Sequence, residues 1–402
     1  MAVDTMSGSY QFGRKKRLSR MLRLLARIRP HALPVTYHHN RVTLLPDGLC
    51  FFQSLFAAIR SARCTLLLEY YLIRNDDTGR VFADELTEAV RRGVKVFLIY
   101  DYIGCIDTPS AYFRSLARNG IELIPFNVPS FKRGIGWFDR RDHRKMTIVD
   151  GQQAFLGGFN IGDEYAGGSR EVRFRDTGFC VTGSAVGELI AIFRQTWQME
   201  RGTASEVPVC IDLKKGRNPG QAHVTIISGG PHLRSSYIRS AFLFNIASAS
   251  EELTIASPYF VPGPRIMRAL LRAARRGVRV RLLMPARSDV PLVQLVGRSS
   301  YGTLLRGGVA IYELERDILH AKIMLVDGER AVIGSANLDQ RSFHRNFEIN
   351  CVVDSAAFGK QVGKVLEQEF LAARRVRLDD HEGRGFLLRG MEKIISLFGW
   401  FL

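Results

Sequence analysis

Residues 143–160 read HRKMTIVDGQQAFLGGFN, and residues 320–337 read HAKIMLVDGERAVIGSAN. Both fit H-x-K-x4-D-x6-G-[GS]-x-N without a gap. His143, Lys145, Asp150, Gly157, Gly158 and Asn160 in the first copy answer to His320, Lys322, Asp327, Gly334, Ser335 and Asn337 in the second. A gapless repeat 177 residues apart predicts two related halves that share one active site.

Each copy opens with β-branched and apolar residues and so reads as a strand. Residues two apart on a strand share a face, which puts each His beside its Lys. An Asp-Gly pair then signals a tight hairpin turn. The return strands are Gln153–Leu156 and Ala331–Ile333, each ending in small residues that permit close approach of a backbone or a phosphate. Asp150 and Asp327 stand at the strand-to-turn junction and read as turn caps, not catalysts. Asn160 and Asn337 supply amide donors. Two imidazoles, two ammonium groups and two amides on one point suit a phosphodiester. The lysines and amides hold the non-bridging oxygens. One neutral imidazole attacks phosphorus, and the other, protonated, gives its proton to the leaving alcohol. This chemistry asks for no metal and no cofactor.

The repeat persists upstream. RRGVKVFLIYD (91–101) parallels RRGVRVRLLMP (275–285), and RNGIELIPFN (118–127) parallels RGGVAIYELE (306–315). Helix-like stretches precede the first pair at Val81–Val90 and Arg265–Ala274, and apolar strands precede those at Thr65–Ile73 and Leu253–Phe260. Strands alternating with helices predict an α/β fold with a largely parallel sheet covered on both faces. The expected division is a basic amphipathic segment at 1–40, a first half at 41–200, a linker at 201–222, a second half at 223–380, and an amphipathic segment at 381–402. Tyr70, Tyr71 and Tyr259 end matching strands and could line the substrate site, with core or rim packing the preferred reading.

The double motif resembles the mark of the phospholipase D superfamily. ILHAKIMLVDGERAVIGSANLDQRSFHRNFEIN (318–350) and YFVPGPRIMRALLRAARRGVRVRLLMP (259–285) are similar to its cardiolipin synthase branch, and the likeness spans roughly residues 45–380. The resemblance implies two pseudo-repeated α/β/α domains with the active site at their interface. It implies a covalent phosphatidyl-histidine, with His143 as nucleophile and His320 as general acid and then base. A downstream carboxylate is expected to orient each ring, Asp176 lying 33 residues past His143 and Glu348 lying 28 past His320. The first copy has Gly158 where the second has Ser335, so if that hydroxyl contacts phosphate, only the second half supplies it. The implied reaction is phosphatidyl transfer between phosphatidylglycerol molecules with release of glycerol. A phospholipase D-type hydrolase, a metal-independent nuclease and an idle membrane-binding protein are the alternatives.

The net charge of +18 calls for a polyanionic partner. Eight of those cations lie between Arg14 and Arg29, so the body keeps the remaining +10. Arg14, Lys15, Lys16, Arg17, Arg20 and Arg23 accompany an apolar stripe through Leu18, Met21, Leu22, Leu25 and Ile28. Each such cation near an anionic leaflet is worth about 1 kcal/mol. FLLRGMEKIISLFGWFL (386–402) repeats the theme, with Phe398, Trp400 and Phe401 suited to a membrane–water boundary. There is no signal peptide and no run of 18 apolar residues. Six scattered cysteines, without metal spacing, read as free thiols in a reducing compartment. The expected place is the cytoplasmic face of the cell membrane, held peripherally, with anionic phospholipid rather than nucleic acid as partner. Nothing in the sequence fixes an oligomeric state.

Overall fold

The computed structural model describes residues 34–129, 139–167, 173–201, 207–208, 220–231, 237–385 and 395. The chain from Tyr37 onward is one compact unit. The first half contributes strands β1 (Thr36–Leu45), β2 (Thr65–Tyr70), β3 (Lys95–Asp101), β4 (Glu122–Phe126), β5 (Lys145–Val149), β6 (Gln153–Gly157), β7 (Phe174–Arg175) and β8 (Gly178–Thr182). The second contributes β9 (Ala222–Gly229), β10 (Glu252–Ala256), β11 (Arg279–Pro285), β12 (Ala310–Leu314), β13 (Ile318–Leu319), β14 (Ile323–Val326), β15 (Arg330–Gly334), β16 (Glu348–Asp354) and β17 (Ala373–Arg375). Helices of the first half are α1 (Gly48–Ser61), α2 (Asp77–Arg91), α3 (Ser110–Arg118) and α4 (Ala185–Arg201). Those of the second are α5 (Tyr237–Ser248), α6 (Gly263–Arg275), α7 (Pro291–Ser299), α8 (Tyr301–Arg306), α9 (Gln340–His344), α10 (Ala356–Leu371) and α11 (Leu378–Glu382).

The helical crossovers α2 and α3 make β2, β3 and β4 parallel, and α6 to α8 do the same for β10, β11 and β12. The rest of the main sheet is antiparallel, because each Asp-Gly turn reverses the chain. Asp150 and Gly151 take φ of 49° and 63°, Asp327 and Gly328 of 50° and 65°, the left-handed pair such a turn needs. The sheet is therefore mixed, and the expectation of a largely parallel one is corrected by the antiparallel hairpins that both motifs build. The strands of the two halves run on through β9 and β1 into one fifteen-stranded sheet, in mirrored order about that junction. One buried cluster spans both halves. It unites Phe193 and Trp197 of α4 with Val224 and Ile226 of β9, and Phe358, Val362 and Leu366 of α10 with Phe179 and Val181 of β8. Each such side chain, fully buried, contributes about 1.5–3 kcal/mol, enough to lock the halves together.

Asp150 and Asp327 do more than cap their own turns. Asp150 accepts from the backbone N–H groups of Arg63, Cys64 and Thr65 at 2.8–2.9 Å. Asp327 accepts from Ser250, Glu251 and Glu252 at 2.8–3.2 Å and from the Ser250 hydroxyl at 2.8 Å. Each staples its hairpin to the loop entering β2 or β10. At about 3.4 Å per residue, that places Asp150 about 17 Å from Lys145, at the far end of β5.

Cys64 is disulfide-bonded, whereas Cys50, Cys105, Cys180 and Cys351 are free. The reading of six free thiols is thus corrected, and the cysteines no longer argue for a reducing compartment. Arg14, Lys15, Lys16, Arg17, Arg20, Arg23, Phe398, Trp400 and Phe401 lie outside the described residues. Ile395 packs with Tyr259 against Val261, Val293 and Val296.

Candidate active site

Neither histidine sits in its strand. The strands begin at Lys145 and Ile323, and the residues before them pair across to the other half. The His143 N–H donates to the Phe347 carbonyl at 2.9 Å, and the Phe347 N–H to the Arg141 carbonyl at 2.8 Å. The His320 N–H donates to the Arg175 carbonyl at 2.7 Å, beside the parallel pairing of β7 with β13. Each histidine is thus pinned to the chain of the opposite half.

That cross-pairing decides which carboxylate each ring meets. His143 Nδ1 donates to both oxygens of Glu348 at 3.1 Å. His320 Nδ1 donates to Asp176 Oδ2 at 2.5 Å. The expected assignment, with Asp176 behind His143 and Glu348 behind His320, is reversed: each carboxylate serves the histidine of the other half. Both carboxylates are buried, and each fixes the ring it meets at Nδ1.

Glu348 also accepts from Ser335 Oγ at 2.6 Å, Ser342 Oγ at 2.9 Å and Asn346 Nδ2 at 3.3 Å. Burial pushes its carboxyl up, but His143, Lys145 and Ser335 outweigh that and hold it below its ordinary value. The Ser335 hydroxyl is therefore spent on Glu348. Its counterpart Gly158 has a different reason to be small. A β-carbon there would stand 2.2 Å from Asp176 Oδ2, so the missing side chain is the space Asp176 occupies. At Gly334 a β-carbon would stand 2.2 Å from the Ile349 carbonyl oxygen. We expect Gly158→Ala to push Asp176 off His320 and lower kcat on the order of 100-fold, since about 1 Å of misplacement costs that much. A kcat within threefold of wild type would show that Asp176 tolerates displacement.

Each lysine turns back on the carbonyl of its own histidine. Lys145 Nζ donates to the His143 carbonyl at 2.6 Å and Lys322 Nζ to that of His320, with Lys322 also 3.8 Å from Asp176. Burial pulls Lys145 down to about 7 and also lowers Lys322. Burial likewise pulls His143 down to about 4, and burial with the Lys322 charge lowers His320. Asn160 Nδ2 donates to Tyr165 Oη at 2.8 Å. The Oδ1 atoms of Asn160 and Asn337 are buried without a partner. Gly157 takes φ of 152° where β6 ends.

Sequence reasoning missed several neighbours. Tyr71 lies edge-on to His143 at 5.1 Å, and Lys145 Nζ stands 5.0 Å from its ring centre. Tyr165 and Phe174 flank His320 at 5.3 and 5.2 Å. Below, Arg144 donates to Glu69 at 3.2 Å and Thr196 at 2.8 Å, and stands over the Phe347 ring at 5.4 Å. Burial and the nearby Glu69 push the Asp142 carboxyl far up. The charged run RRDHRK (140–145) was the signal available for that network.

Two crossed imidazole–carboxylate pairs over two lysines, on a duplicated α/β half, define a phospholipase D-type site. Residues 55–197 and 243–371 match the family described as cardiolipin synthase, PLD-like domain, and the chain belongs to that family. It is 37% identical over 382 residues to a cardiolipin synthase of Geobacillus kaustophilus, covering 94% of this chain and 75% of that protein. It is 38% identical over 320 residues to cardiolipin synthase 2 of Bacillus anthracis, covering 79% and 62%. In fold it resembles phosphatidylserine synthase of Haemophilus influenzae, with a TM-score of 0.69 at 13% identity over 92% of this chain and 97% of that one.

Proposed function

We propose that this chain is a cardiolipin synthase that works through a phosphatidyl-histidine. The observation that carries the reading is the pair of buried imidazoles, each fixed at Nδ1 by a carboxylate of the opposite half. The halves at 41–200 and 223–380 each bring one motif. His143 Nε2 bonds to the phosphorus of phosphatidylglycerol as the bond from phosphorus to the glycerol oxygen breaks. His320 gives that oxygen its proton. The hydroxyl of a second phosphatidylglycerol then loses its proton to His320 and attacks phosphorus, and the phosphorus–nitrogen bond breaks. Lys145, Lys322, Asn160 and Asn337 hold the non-bridging oxygens.

The charge state fits these parts. Before substrate, burial keeps His143 neutral, as a nucleophile must be. His320 is held down by burial and by Lys322. A phosphodiester anion lying between the lysines offsets that charge and lets His320 take its proton. The free-enzyme profile follows. kcat/KM should rise as pH passes about 4, where His143 loses its proton, and fall first as His320, held below its ordinary imidazole value, loses the proton it must donate, then more steeply above about 7, where Lys145 loses its own. Lys145→Arg should remove the steeper part and leave the His320 part, read as initial rates against pH. An unchanged profile would take Lys145 out of this role.

The relatives' function comes with a membrane, and phospholipid substrates follow. Among the described residues no helix is long and apolar enough to cross one. Peripheral attachment through residues 14–23 and 398–401, on the cytoplasmic face, completes the reading. The basic segment supports that face, since the inner leaflet is anionic. The deciding experiment is product analysis on phosphatidylglycerol vesicles with EDTA, beside His143→Asn. Cardiolipin and glycerol from the wild type alone support the synthase. Phosphatidic acid alone makes it a hydrolase, and plasmid nicking alone makes it a nuclease.

A further inference from the structure

The reaction above leaves unused a pair of side chains on the His320 side. The Tyr259 hydroxyl donates to Asp289 Oδ2 at 2.6 Å. Tyr259 follows the end of β10, where Ser257 Oγ donates to its carbonyl at 2.8 Å and accepts from the Leu338 N–H at 3.3 Å. Leu338 directly follows Asn337, so this strand end runs along the site. The Tyr259 ring packs against Val261, Val293 and Val296. Asp289 lies in the loop leaving β11, is exposed, and accepts on Oδ1 from the Ser288 hydroxyl at 3.4 Å. Among the described residues no cation pairs with it. Its charge reaches His320, Lys322 and Tyr165.

In the first half the acid at the end of β3 is closed off. There the loop leaving β3 begins at Asp101, which is buried and spent on Arg141 at 3.3 Å and on the N–H groups of Gly104 and Asp142 at 2.8 Å. Tyr71 turns only its ring edge to His143. Among the described residues the pseudo-symmetric site is therefore polarised, with a carboxylate that is both open and bonded to a phenol on the His320 side.

In-line displacement gives that side a meaning. When His143 attacks, the departing oxygen leaves on the far side of phosphorus, next to His320, and the second alcohol enters by the same path. A carboxylate there accepts hydrogen bonds from further hydroxyls on that alcohol, which water lacks. We propose that Asp289 and Tyr259 form the subsite for a polyol headgroup, the glycerol of phosphatidylglycerol both as it leaves and as it enters. The proposal rests on the transfer reading above.

The test compares wild type, Asp289→Asn and Tyr259→Phe on phosphatidylglycerol vesicles, reading the ratio of cardiolipin to phosphatidic acid. Both products drain one phosphatidyl-enzyme, so a shared loss of rate cancels from the ratio. We expect the ratio to fall about tenfold in Asp289→Asn and about threefold in Tyr259→Phe, as loss of a charged and of a neutral hydrogen bond would give. An unchanged ratio in either folded variant overturns the proposal. So does a loss in Asp289→Asn confined to capture of added ethanolamine, with capture of added glycerol kept, which would make the subsite one for an ammonium group. A wild type yielding neither product brings down the transfer reading, and this subsite with it.

Discussion

His320→Ala should still take up one phosphatidyl group from a substrate with an activated leaving group, such as a p-nitrophenyl ester, and hold it. His143→Ala should take up none. The asymmetry follows from the roles. A p-nitrophenolate departs without a proton, so bond formation by His143 Nε2 goes on without the acid. Release of the adduct still needs a base on the incoming alcohol, and the Ala variant has none. On phosphatidylglycerol itself, His320→Ala should lose turnover by about 10²–10⁴, the usual worth of a positioned acid–base group. Loss of the nucleophile is larger, about 10⁶ in comparable His-based sites. Acid-labile label on His143 of the His320→Ala protein, located by mass spectrometry, is the expected outcome. Label on His320 in a His143→Ala protein would exchange the two roles. The crossed carboxylates do not decide between them, because each ring meets a carboxylate at Nδ1.

Much of this site could be read from the repeat, and the unread parts have specific physical causes. The two His-Lys pairs and the Asp-Gly hairpins are local features, set by spacings of two residues and by turn conformation, and local features survive in sequence. The partner of each carboxylate is not local. Asp176 is closer in sequence to His143 and Glu348 to His320, yet β7 pairs with β13 and Asp142 bridges Phe347, and these two contacts swap the partners. Sheet direction failed for a related reason. Helix–strand alternation identified β2–β4 and β10–β12, but the hairpins after them set the direction of their neighbours. Asp289 left no signal, since the repeat has no acid at the matching place and a motif search rewards only what recurs.

The crossing makes a prediction that same-half pairing would invert. Asp176→Asn alters the first half, yet it should behave as damage to His320. Glu348→Gln alters the second half, yet it should behave as damage to His143. An amide in place of either carboxylate no longer fixes the Nδ1–H tautomer and no longer stabilises positive charge on the ring, a change worth up to about 10⁴ in kcat in comparable sites. On phosphatidylglycerol both variants should therefore be slow. On the activated ester they should part. Asp176→Asn should form its adduct at close to the wild-type rate, because the first step then needs no acid, and Glu348→Gln should stay slow, because its nucleophile is still misaligned. Pairs of changes give the second reading. Adding Asp176→Asn to His320→Ala should cost little more, since the orienting group has lost what it orients, whereas adding Glu348→Gln to His320→Ala should compound. Glu348 is the more delicate site, because Ser335, Ser342 and Asn346 all donate to it. A matched thermal melt of Glu348→Gln therefore belongs beside its kinetics. If instead Asp176→Asn were the variant that the activated ester failed to rescue, the roles of the two histidines would be exchanged on the same crossed frame. If neither were rescued, His320 would be needed for attack as well as for departure, and the division of labour between the rings would fall.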